Sequence, residues 1–474
     1  MRGRSLHFVG IGGAGMSGLA LVTHALGARV TGSDRADSAY CERLRAAGIE
    51  PVLGHDAANY PAGAELIVST AIPDDNPELS AARAAGAVVR HRGDLLGELS
   101  RMKRTIAVSG THGKTTTASM AAHVLRETGR DPAFLIGGEL RSAGTNAAWG
   151  AGEWAVIEGD ESDRSFLKLD RPVTVVTNVE LDHHSTYASL AELEEAFAAF
   201  AQPAELLVLG PDVELAGAGA EVRFEIEREA ATGVRHETAD ISPQRAGPPV
   251  GGPVVADRRT TDLRAEAVEL LPAGSRFEVE GTVFELRVPG RHNVLNALAA
   301  LAACRAAGVE PAEAAPALAT FTGAARRFEA HGRTPSGALV FDDYAHHPTE
   351  VRATLEAART LAESEGGRVV ACFQPHLYSR TRLLAREFGR ALALADLVVV
   401  LEIYPAREDA AEYPGVSGLL VARAAADAAG GRPAWWLPEM DDAERMLAAE
   451  LRESDLLLTL GAGDVDRLAR RLAA

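Results

Sequence analysis

The chain has 474 residues, a length that fits about three domains of ordinary size. Its net charge of −18 argues against nucleic acid as a partner, because proteins that bind polyanions carry a basic patch. The cysteines, Cys41, Cys304 and Cys372, are widely spaced, which favours free thiols in a reducing compartment over a zinc site or disulfides. With no signal-peptide pattern and no apolar run of the ~18 residues that a membrane span needs, we expect a cytoplasmic protein outside the membrane.

The first hundred residues alternate between strand-like and helical stretches. Residues 6–10 predict a buried strand, and a helix is expected over 16–26 after a glycine-rich turn. Further strands are expected at 28–32, 65–69 and 87–89. Such alternation is typical of a parallel sheet covered by helices.

The glycine-rich turn carries the first candidate site. Gly10, Gly12 and Gly15 match G-x-G-x-x-G between a strand and a helix, where the backbone can approach a pyrophosphate. Asp34 follows the second strand, where a carboxylate can reach a ribose hydroxyl. The motif therefore predicts a nucleotide diphosphate site but does not separate NAD from a UDP-sugar. A tight turn without a ligand is the alternative.

A second unit opens near Arg104 with a strand at 105–109 and a helix ending near residue 128. Between them lies Gly110-Thr-His-Gly-Lys-Thr115, which is shorter than the eight-residue Walker pattern. Backbone N–H groups of such a loop can cradle phosphates, Lys114 can hold their oxygens, and the Thr115 hydroxyl can bind Mg²⁺. The loop therefore predicts an ATP site.

Polar residues follow two further predicted strands, at 154–157 and 173–176. Because open α/β sheets place their chemistry at the carboxyl ends of strands, these residues are candidates for binding Mg²⁺. Asp163 is interpreted as a solvated loop residue. The complete set is Glu158, Asp160, Glu161, Asp163, Asp182, His183 and His184.

The sequence changes character over residues 210–288, where glycine, proline and charge increase. Short β-strands are expected at 276–279 and 283–288, a loop at 247–253, and a helix from about Asn293. A third, Rossmann-type α/β unit is expected from about residue 326, with strands at 339–341, 369–373, 397–401 and 456–460.

These sites, in this order, resemble the Mur ligase family. The phosphate loop resembles that family's G-T-x-G-K-[ST] motif. Further matching segments are 8–20 (FVGIGGAGMSGLA), 159–163 with 165–167, 177–183, 290–296, 326–329, 342–350 and 373–376. The resemblance implies a three-domain α/β architecture: a Rossmann-like N-terminal domain (1–103), a central P-loop ATPase-like domain (104–324) and a Rossmann-like C-terminal domain (325–474).

The resemblance also implies an activity. Using ATP and Mg²⁺, the enzyme would join L-alanine to the carboxylate of UDP-N-acetylmuramate through an acyl phosphate. This reaction belongs to peptidoglycan precursor synthesis, and a monomer or weak homodimer is expected. A dehydrogenase, a non-catalytic nucleotide sensor and a family member that attaches a recycled peptide remain as alternatives.

The resemblance assigns roles to individual residues. Catalysis would depend on Lys114, Glu161, His183, Arg327, Asp343 and His346. ATP would contact Gly110, Thr111, His112, Gly113, Lys114, Thr115, Thr116, Asn293, Asn296, Arg327 and Asp343. The UDP-sugar and alanine would contact Gly10, Gly12, Gly15, Asp34, Ser69, Thr70, His376 and Arg380. The metal would be held by Thr115, Glu161 and His183. Leu377 stands where many members have arginine, so Arg380 or Arg382 would supply that charge.

Overall fold

The computed structural model of the chain describes residues 1–184, 186–227 and 260–473. These residues form three β-sheets in succession along the chain, each accompanied by helices. The predicted loop at 247–253 lies outside the described residues. Within the described ranges, no helix is both long enough and apolar enough to cross a membrane.

The N-terminal sheet has five strands, all parallel to their neighbours, in the order β3-β2-β1-β4-β5. Leu6 and Phe8 of its central strand are fully buried and share a core with Leu19 of the first helix. The strands are β1 (Ser5–Val9), β2 (Arg29–Asp34), β3 (Val52–Leu53), β4 (Glu65–Val68) and β5 (Val89–His91). The helices are α1 (Ala14–Ala25), α2 (Ala39–Ala46), α3 (Pro77–Ala84) and α4 (Arg92–Ser100).

The central sheet has ten strands in the order β15-β14-β13-β12-β11-β10-β6-β9-β7-β8. Its middle strands are parallel, and β8, β14 and β15 pair antiparallel with their neighbours. The strands are β6 (Arg104–Ser109), β7 (Ala133–Leu140), β8 (Thr145–Ala148), β9 (Trp154–Glu158), β10 (Val173–Val176), β11 (Leu206–Leu209), β12 (Ala220–Ile226), β13 (Thr260–Leu271), β14 (Gly274–Val279) and β15 (Thr282–Leu286). The helices are α5 (Lys114–Glu127), α6 (Leu190–Ala201), α7 (Arg291–Cys304) and α8 (Pro311–Ala319).

The third sheet has six strands in the order β16-β17-β21-β18-β19-β20, and only its edge strand β16 is antiparallel. The strands are β16 (Glu329–Arg333), β17 (Leu339–Asp343), β18 (Val369–Phe373), β19 (Leu397–Val400), β20 (Ala434–Trp436) and β21 (Leu456–Leu460). The helices are α9 (Pro348–Glu365), α10 (Tyr378–Leu392), α11 (Gly418–Ala428), α12 (Met440–Glu450) and α13 (Asp466–Leu472).

The three-part α/β architecture expected from the sequence is confirmed. Strands β10, β18 and β21 have the predicted bounds, and the other predicted strands differ by one or two residues at an end. All three cysteines are buried free thiols, as expected. Strands β6, β9 and β10 lie side by side and parallel, so their carboxyl ends, which carry the predicted polar residues, meet at one edge of the central sheet.

Candidate active site

The phosphate loop joins β6 to α5 at that edge. Gly113 has a positive φ of 81°, and a Cβ there would lie 2.5 Å from Oδ1 of Asn296, so only glycine fits. Asn296 donates to Oδ1 of Asn293 (3.1 Å), and Asn293 donates to the carbonyl of Pro289 (2.7 Å). The two asparagines therefore support the loop from behind, and their predicted contact with ATP stays a prediction.

The outer side of the loop is held by the segment after β10. Asn178 accepts the N–H of Thr111 on its carbonyl (3.0 Å) and the N–H of His112 on Oδ1 (2.8 Å). The Thr177 hydroxyl donates to the carbonyl of His112 (2.6 Å). Since the N–H groups of Thr111 and His112 are occupied, backbone donors for phosphate would come from the rest of the loop and from the first turn of α5, which includes Thr116.

The charges of the site converge on Glu161, whose side chain is 1% exposed. Its Oε1 lies 2.9 Å from Nζ of Lys114 and 3.1 Å from Nε2 of His183. Burial alone would lower the pKa of Lys114 and of His183, but Glu161 and the neighbouring carboxylates together outweigh it and raise the pKa of both. Lys114 also donates to the carbonyls of Gly110 (2.6 Å) and Thr111 (3.0 Å).

A second carboxylate stands beside the first helical turn. Glu158 accepts the Thr115 hydroxyl on Oε1 (2.9 Å) and the N–H of Gly137 on Oε2 (2.6 Å). Burial raises the pKa of Glu158. Arg327, which precedes β16, approaches the same Thr115 hydroxyl at 3.5 Å. Arg327 of the third unit thus reaches the phosphate loop at Thr115.

The donor set suits Mg²⁺. Oε2 of Glu161 is buried and has no hydrogen-bond partner among the described residues, which is costly for a carboxylate oxygen unless a cation uses it. The Thr115 hydroxyl lies at the start of the same helix as Lys114, and Mg²⁺ needs only one or two such oxygens besides phosphate and water. Glu161 and Thr115 fit the ion better than His183, whose imidazole nitrogen is a softer donor.

Arg92, at the start of α4, connects the N-terminal unit to this cluster. It contacts Asp160 (2.6 Å) and Asp163 (2.7 Å). Burial would raise the pKa of Asp160, but the charge of Arg92, a hydrogen bond from Ser162 and nearby cations together lower it. The interpretation of Asp163 as a solvated residue is wrong, because its side chain is 3% exposed and paired. Sequence reasoning missed Arg92, since its partners are 68 and 71 residues away.

The glycine turn of the N-terminal unit is held by Asp34. Its Oδ2 accepts the N–H of Gly12 (2.8 Å), and a Cβ on Gly15 would lie 3.0 Å from Nη1 of Arg92. The carboxylate expected at a ribose hydroxyl therefore also fixes the turn. Ser69 and Thr70 follow β4, the strand next to β1, and so lie at the same edge of the sheet as the turn.

Three C-terminal residues predicted to contact substrates lie close to one another. Arg380 forms a bidentate ion pair with Asp182, with Nη2 at 2.8 and 3.0 Å from the two carboxylate oxygens. Its Nη1 lies 3.3 Å from Nδ1 of His376, and the rings of His376 and His346 are 6.0 Å apart. Burial would raise the pKa of Asp182, but the charge of Arg380, together with those of neighbouring groups such as His183, holds it well below its usual range.

His346 and Asp343 both bond to their own chain. Nδ1 of His346 lies 3.0 Å from the carbonyl of Tyr344, which makes Nδ1 the protonated nitrogen, and burial lowers the pKa of His346 to about 3. Asp343 accepts the N–H groups of Phe328 and Ala345, each at 2.8 Å, and burial raises its pKa to about 6. Asp343 therefore shapes the backbone beside Arg327.

The structure joins the three units through arginines at this centre. Arg92 reaches the carboxylate cluster from the N-terminal unit, whereas Arg327 and Arg380 reach the central unit from the third sheet. A phosphate loop, a glycine turn typical of nucleotide diphosphates and a third α/β unit thus form one connected system. This combination defines an ATP-using enzyme built from three α/β units.

Comparison with known proteins identifies the family to which the chain belongs. Residues 5–104 match the catalytic domain of the Mur ligase family, residues 108–304 the Mur ligase middle domain, and residues 326–463 the glutamate ligase domain of Mur ligases. UDP-N-acetylmuramate–L-alanine ligase of Streptomyces coelicolor is 44% identical over 98% of this chain and 96% of its own. The chain belongs to the Mur ligase family.

Solved structures agree with this assignment. UDP-N-acetylmuramate–alanine ligase of Thermotoga maritima superposes with a TM-score of 0.79 at 30% identity, covering 99% of this chain and 98% of its own. A murein peptide ligase of Psychrobacter arcticus has the same fold, with a TM-score of 0.70 at 23% identity over 99% and 98% of the two chains.

Proposed function

We propose that this protein joins L-alanine to the carboxylate of UDP-N-acetylmuramate and forms UDP-N-acetylmuramoyl-L-alanine, ADP and phosphate in peptidoglycan precursor synthesis. The observation that carries the proposal is the convergence of Lys114 and His183 on the buried carboxylate of Glu161, beside a phosphate loop that Arg327 approaches. The names of the similar ligases supply the substrates.

The sites divide among three parts of the chain, for which we propose the bounds 1–103, 104–324 and 325–474. The three separate sheets support this division. The N-terminal unit would bind the UDP-sugar at the turn of Gly10, Gly12 and Gly15, with Asp34 fixing that turn. We also propose that the enzyme acts in the cytoplasm as a monomer or weak homodimer.

The first step would phosphorylate the muramyl carboxylate, which by itself has no adequate leaving group. Phosphoryl transfer mainly requires alignment and neutralisation of charge. Lys114 would exchange its carbonyl partners, Gly110 and Thr111, for phosphate oxygens, and Arg327 would add a second positive charge. Thr115 and Glu161 would hold Mg²⁺, which supplies further charge neutralisation when bound.

The second step would be attack of the alanine amine on the acyl phosphate. With Nδ1 of His346 facing a carbonyl, Nε2 is the nitrogen left to meet a substrate. A pKa of about 3 makes His346 a poor proton acceptor near neutral pH, so an orienting role is favoured over general-base catalysis. His376 and Arg380 would lie on the same side of the acceptor site.

The test is ADP release with ATP, Mg²⁺ and UDP-N-acetylmuramate, with acceptors added one at a time. We expect release only when both the sugar nucleotide and L-alanine are present. Release with the L-alanyl-γ-D-glutamyl-meso-diaminopimelate peptide in place of alanine would assign the chain to the peptide-attaching branch. If no acceptor causes ADP release, the ligase proposal is contradicted and a nucleotide sensor is favoured. Binding of NADH would favour a dehydrogenase.

A further inference from the structure

We propose that His112, Glu180 and His347 form a second metal site, for a borderline transition-metal ion such as Zn²⁺, that ties the third sheet to the phosphate loop. One donor atom from each of these residues lies within 4.8 Å of the other two. The cluster shares no residue with Glu161, Thr115 and His183, so it is separate from the magnesium site proposed above.

The spacing of the donors suits a tetrahedral ion. Oε2 of Glu180 lies 2.9 Å from Nε2 of His112 and 3.9 Å from Nδ1 of His347, and the two rings are 4.7 Å apart. Donors bound at about 2.0–2.1 Å in a tetrahedron are about 3.4 Å from one another. To bind an ion, Oε2 of Glu180 would move about half an ångström away from His112 and a similar distance closer to His347.

The metal would replace hydrogen bonds within the cluster. Nε2 of His112 bonds to Glu180 (2.9 Å), and although burial opposes it, the hydrogen bonds to Glu180 and Glu350 raise the pKa of His112 to about 9, so zinc must displace a proton from this ring. Nδ1 of His347 accepts the N–H of Thr349 at the long distance of 3.4 Å, so this nitrogen is unprotonated, and a metal would take the lone pair from this weak helix cap. Nδ1 of His112 lies 3.4 Å from Oε1 of Glu350. This carboxylate can accept the N–H of Nδ1, so that the ring proton stays on Nδ1 and Nε2 faces the ion. A carboxylate behind a ligating imidazole is a recurrent feature of metal sites.

The donor types select the ion. Two imidazoles and one carboxylate suit zinc and related ions, whereas Mg²⁺ prefers oxygen alone. Three protein ligands leave a fourth position for water. The Thr349 hydroxyl donates to Glu180 (2.8 Å) and helps to hold this carboxylate in place.

The three proposed ligands lie on different parts of the molecule. His112 lies in the phosphate loop, Glu180 follows β10, and His347 caps α9 beside the third sheet. An ion bound to all three fastens the third unit to the loop that must admit and release nucleotide.

The primary test measures zinc affinity in metal-stripped full-length protein by competition with a chromogenic chelator, in excess Mg²⁺. His347→Asn removes the imidazole but keeps a side-chain oxygen that can cap α9. We expect this variant and Glu180→Gln each to weaken zinc binding at least roughly tenfold, because even outer partners of a metal site contribute that much. His24→Asn, at an exposed position in α1, is the matched control and should bind zinc as the wild type does.

Two outcomes would overturn the proposal. The first is unchanged zinc affinity in both His347→Asn and Glu180→Gln, with thermal unfolding showing that both are folded. The second is loss of zinc binding in Glu161→Gln but not in His347→Asn, which would place the ion at the magnesium site. Neither measurement uses turnover, so failure here is distinguishable from failure of the proposed ligase activity.

Discussion

At the scale of single residues, the site is organised by the unequal use of two oxygens on one carboxylate. Oε1 of Glu161 contacts both Lys114 and His183, while Oε2 is buried without a partner. One oxygen thus positions the lysine that we propose to meet phosphate, and the other stays available to a cation. The same side chain would therefore link the phosphate loop to the proposed Mg²⁺ site.

Lys114→Ala tests this arrangement. Removing the ammonium should lower kcat for ADP release by roughly 10²–10³-fold, the usual effect of deleting one charge that stabilises a transition state. UDP-sugar affinity should not change, because Lys114 contacts only the phosphate loop and Glu161. Steady-state kinetics and calorimetry measure the two quantities. The control is Lys168→Ala, because the ammonium of Lys168 pairs with Asp94 at the surface. If Lys114→Ala weakened UDP-sugar binding as much as it lowered ADP release, the two sites would not be separate.

At the scale of elements, the helix that carries the phosphate loop has a left-handed glycine just outside each end. Gly113 precedes α5 with φ 81°, and Gly129 follows it with φ 75°. A Cβ at Gly113 would meet Asn296, whereas a Cβ at Gly129 would meet nothing within 4 Å. The backbone penalty is therefore the same at both positions, and only Gly113 adds a steric conflict.

The pair Gly113→Ala and Gly129→Ala separates these effects. Each should lose about 1–2 kcal/mol of stability from the left-handed backbone. Only Gly113→Ala should weaken ATP binding, by at least roughly tenfold, because the loop must move away from Asn296. Thermal unfolding and ATP titration give the two readouts. Equal ATP affinity in both variants would show that the Asn296 contact does not set the shape of the loop.

Most strands with strong apolar runs were predicted, although the equally apolar β11 was missed, and irregular strands were missed as well. Strands β10, β18 and β21 are continuous runs of apolar and β-branched residues, and their bounds were predicted correctly. Strand β7 was missed because Gly137 and Gly138 interrupt its second half, and the four residues of β8 carry no alternating pattern. In the site, local motifs gave the phosphate loop and Glu161. Arg92 and the pairing of Asp182 with Arg380 depend on distant segments that no local pattern connects.

At the scale of the whole molecule, buried neutral histidines should make stability depend on pH. Burial lowers the pKa of His376 to about 3, with Arg380 contributing further, against about 6.5 in the unfolded chain. Because the unfolded chain binds the proton more readily, His376 contributes full stability above about pH 6.5 and loses it as the pH falls towards 3. The urea concentration at the midpoint of unfolding should be lower at about pH 5 than at about pH 7.5. In His376→Gln this difference between the two midpoints should be smaller. An identical loss in the variant would exclude His376 as its source.

The central unit and the third sheet are held together by a buried ion pair. Arg380 and Asp182 have side chains that are 3% and 5% exposed, so neither charge has appreciable contact with water. Removing one partner of such a pair costs about 3–5 kcal/mol, because the other charge stays buried alone. A chain built of several units can relieve that cost by separating them, which would expose Asp182 to solvent.

Arg380→Met should therefore open the ligand-free molecule, and a larger radius of gyration in small-angle X-ray scattering measures the opening. The double variant Asp182→Leu with Arg380→Met removes both charges and should restore the compact form, since an apolar pair can replace a buried ion pair at little cost. Arg359→Met is the control, because Arg359 pairs with Asp396 (2.7 Å) inside the third unit. If Arg380→Met stays as compact as the wild type, the interface is held by its other contacts, such as Thr349 with Glu180. If it opens and the double variant closes again, the uncompensated charge of Asp182 is the force that separates the units.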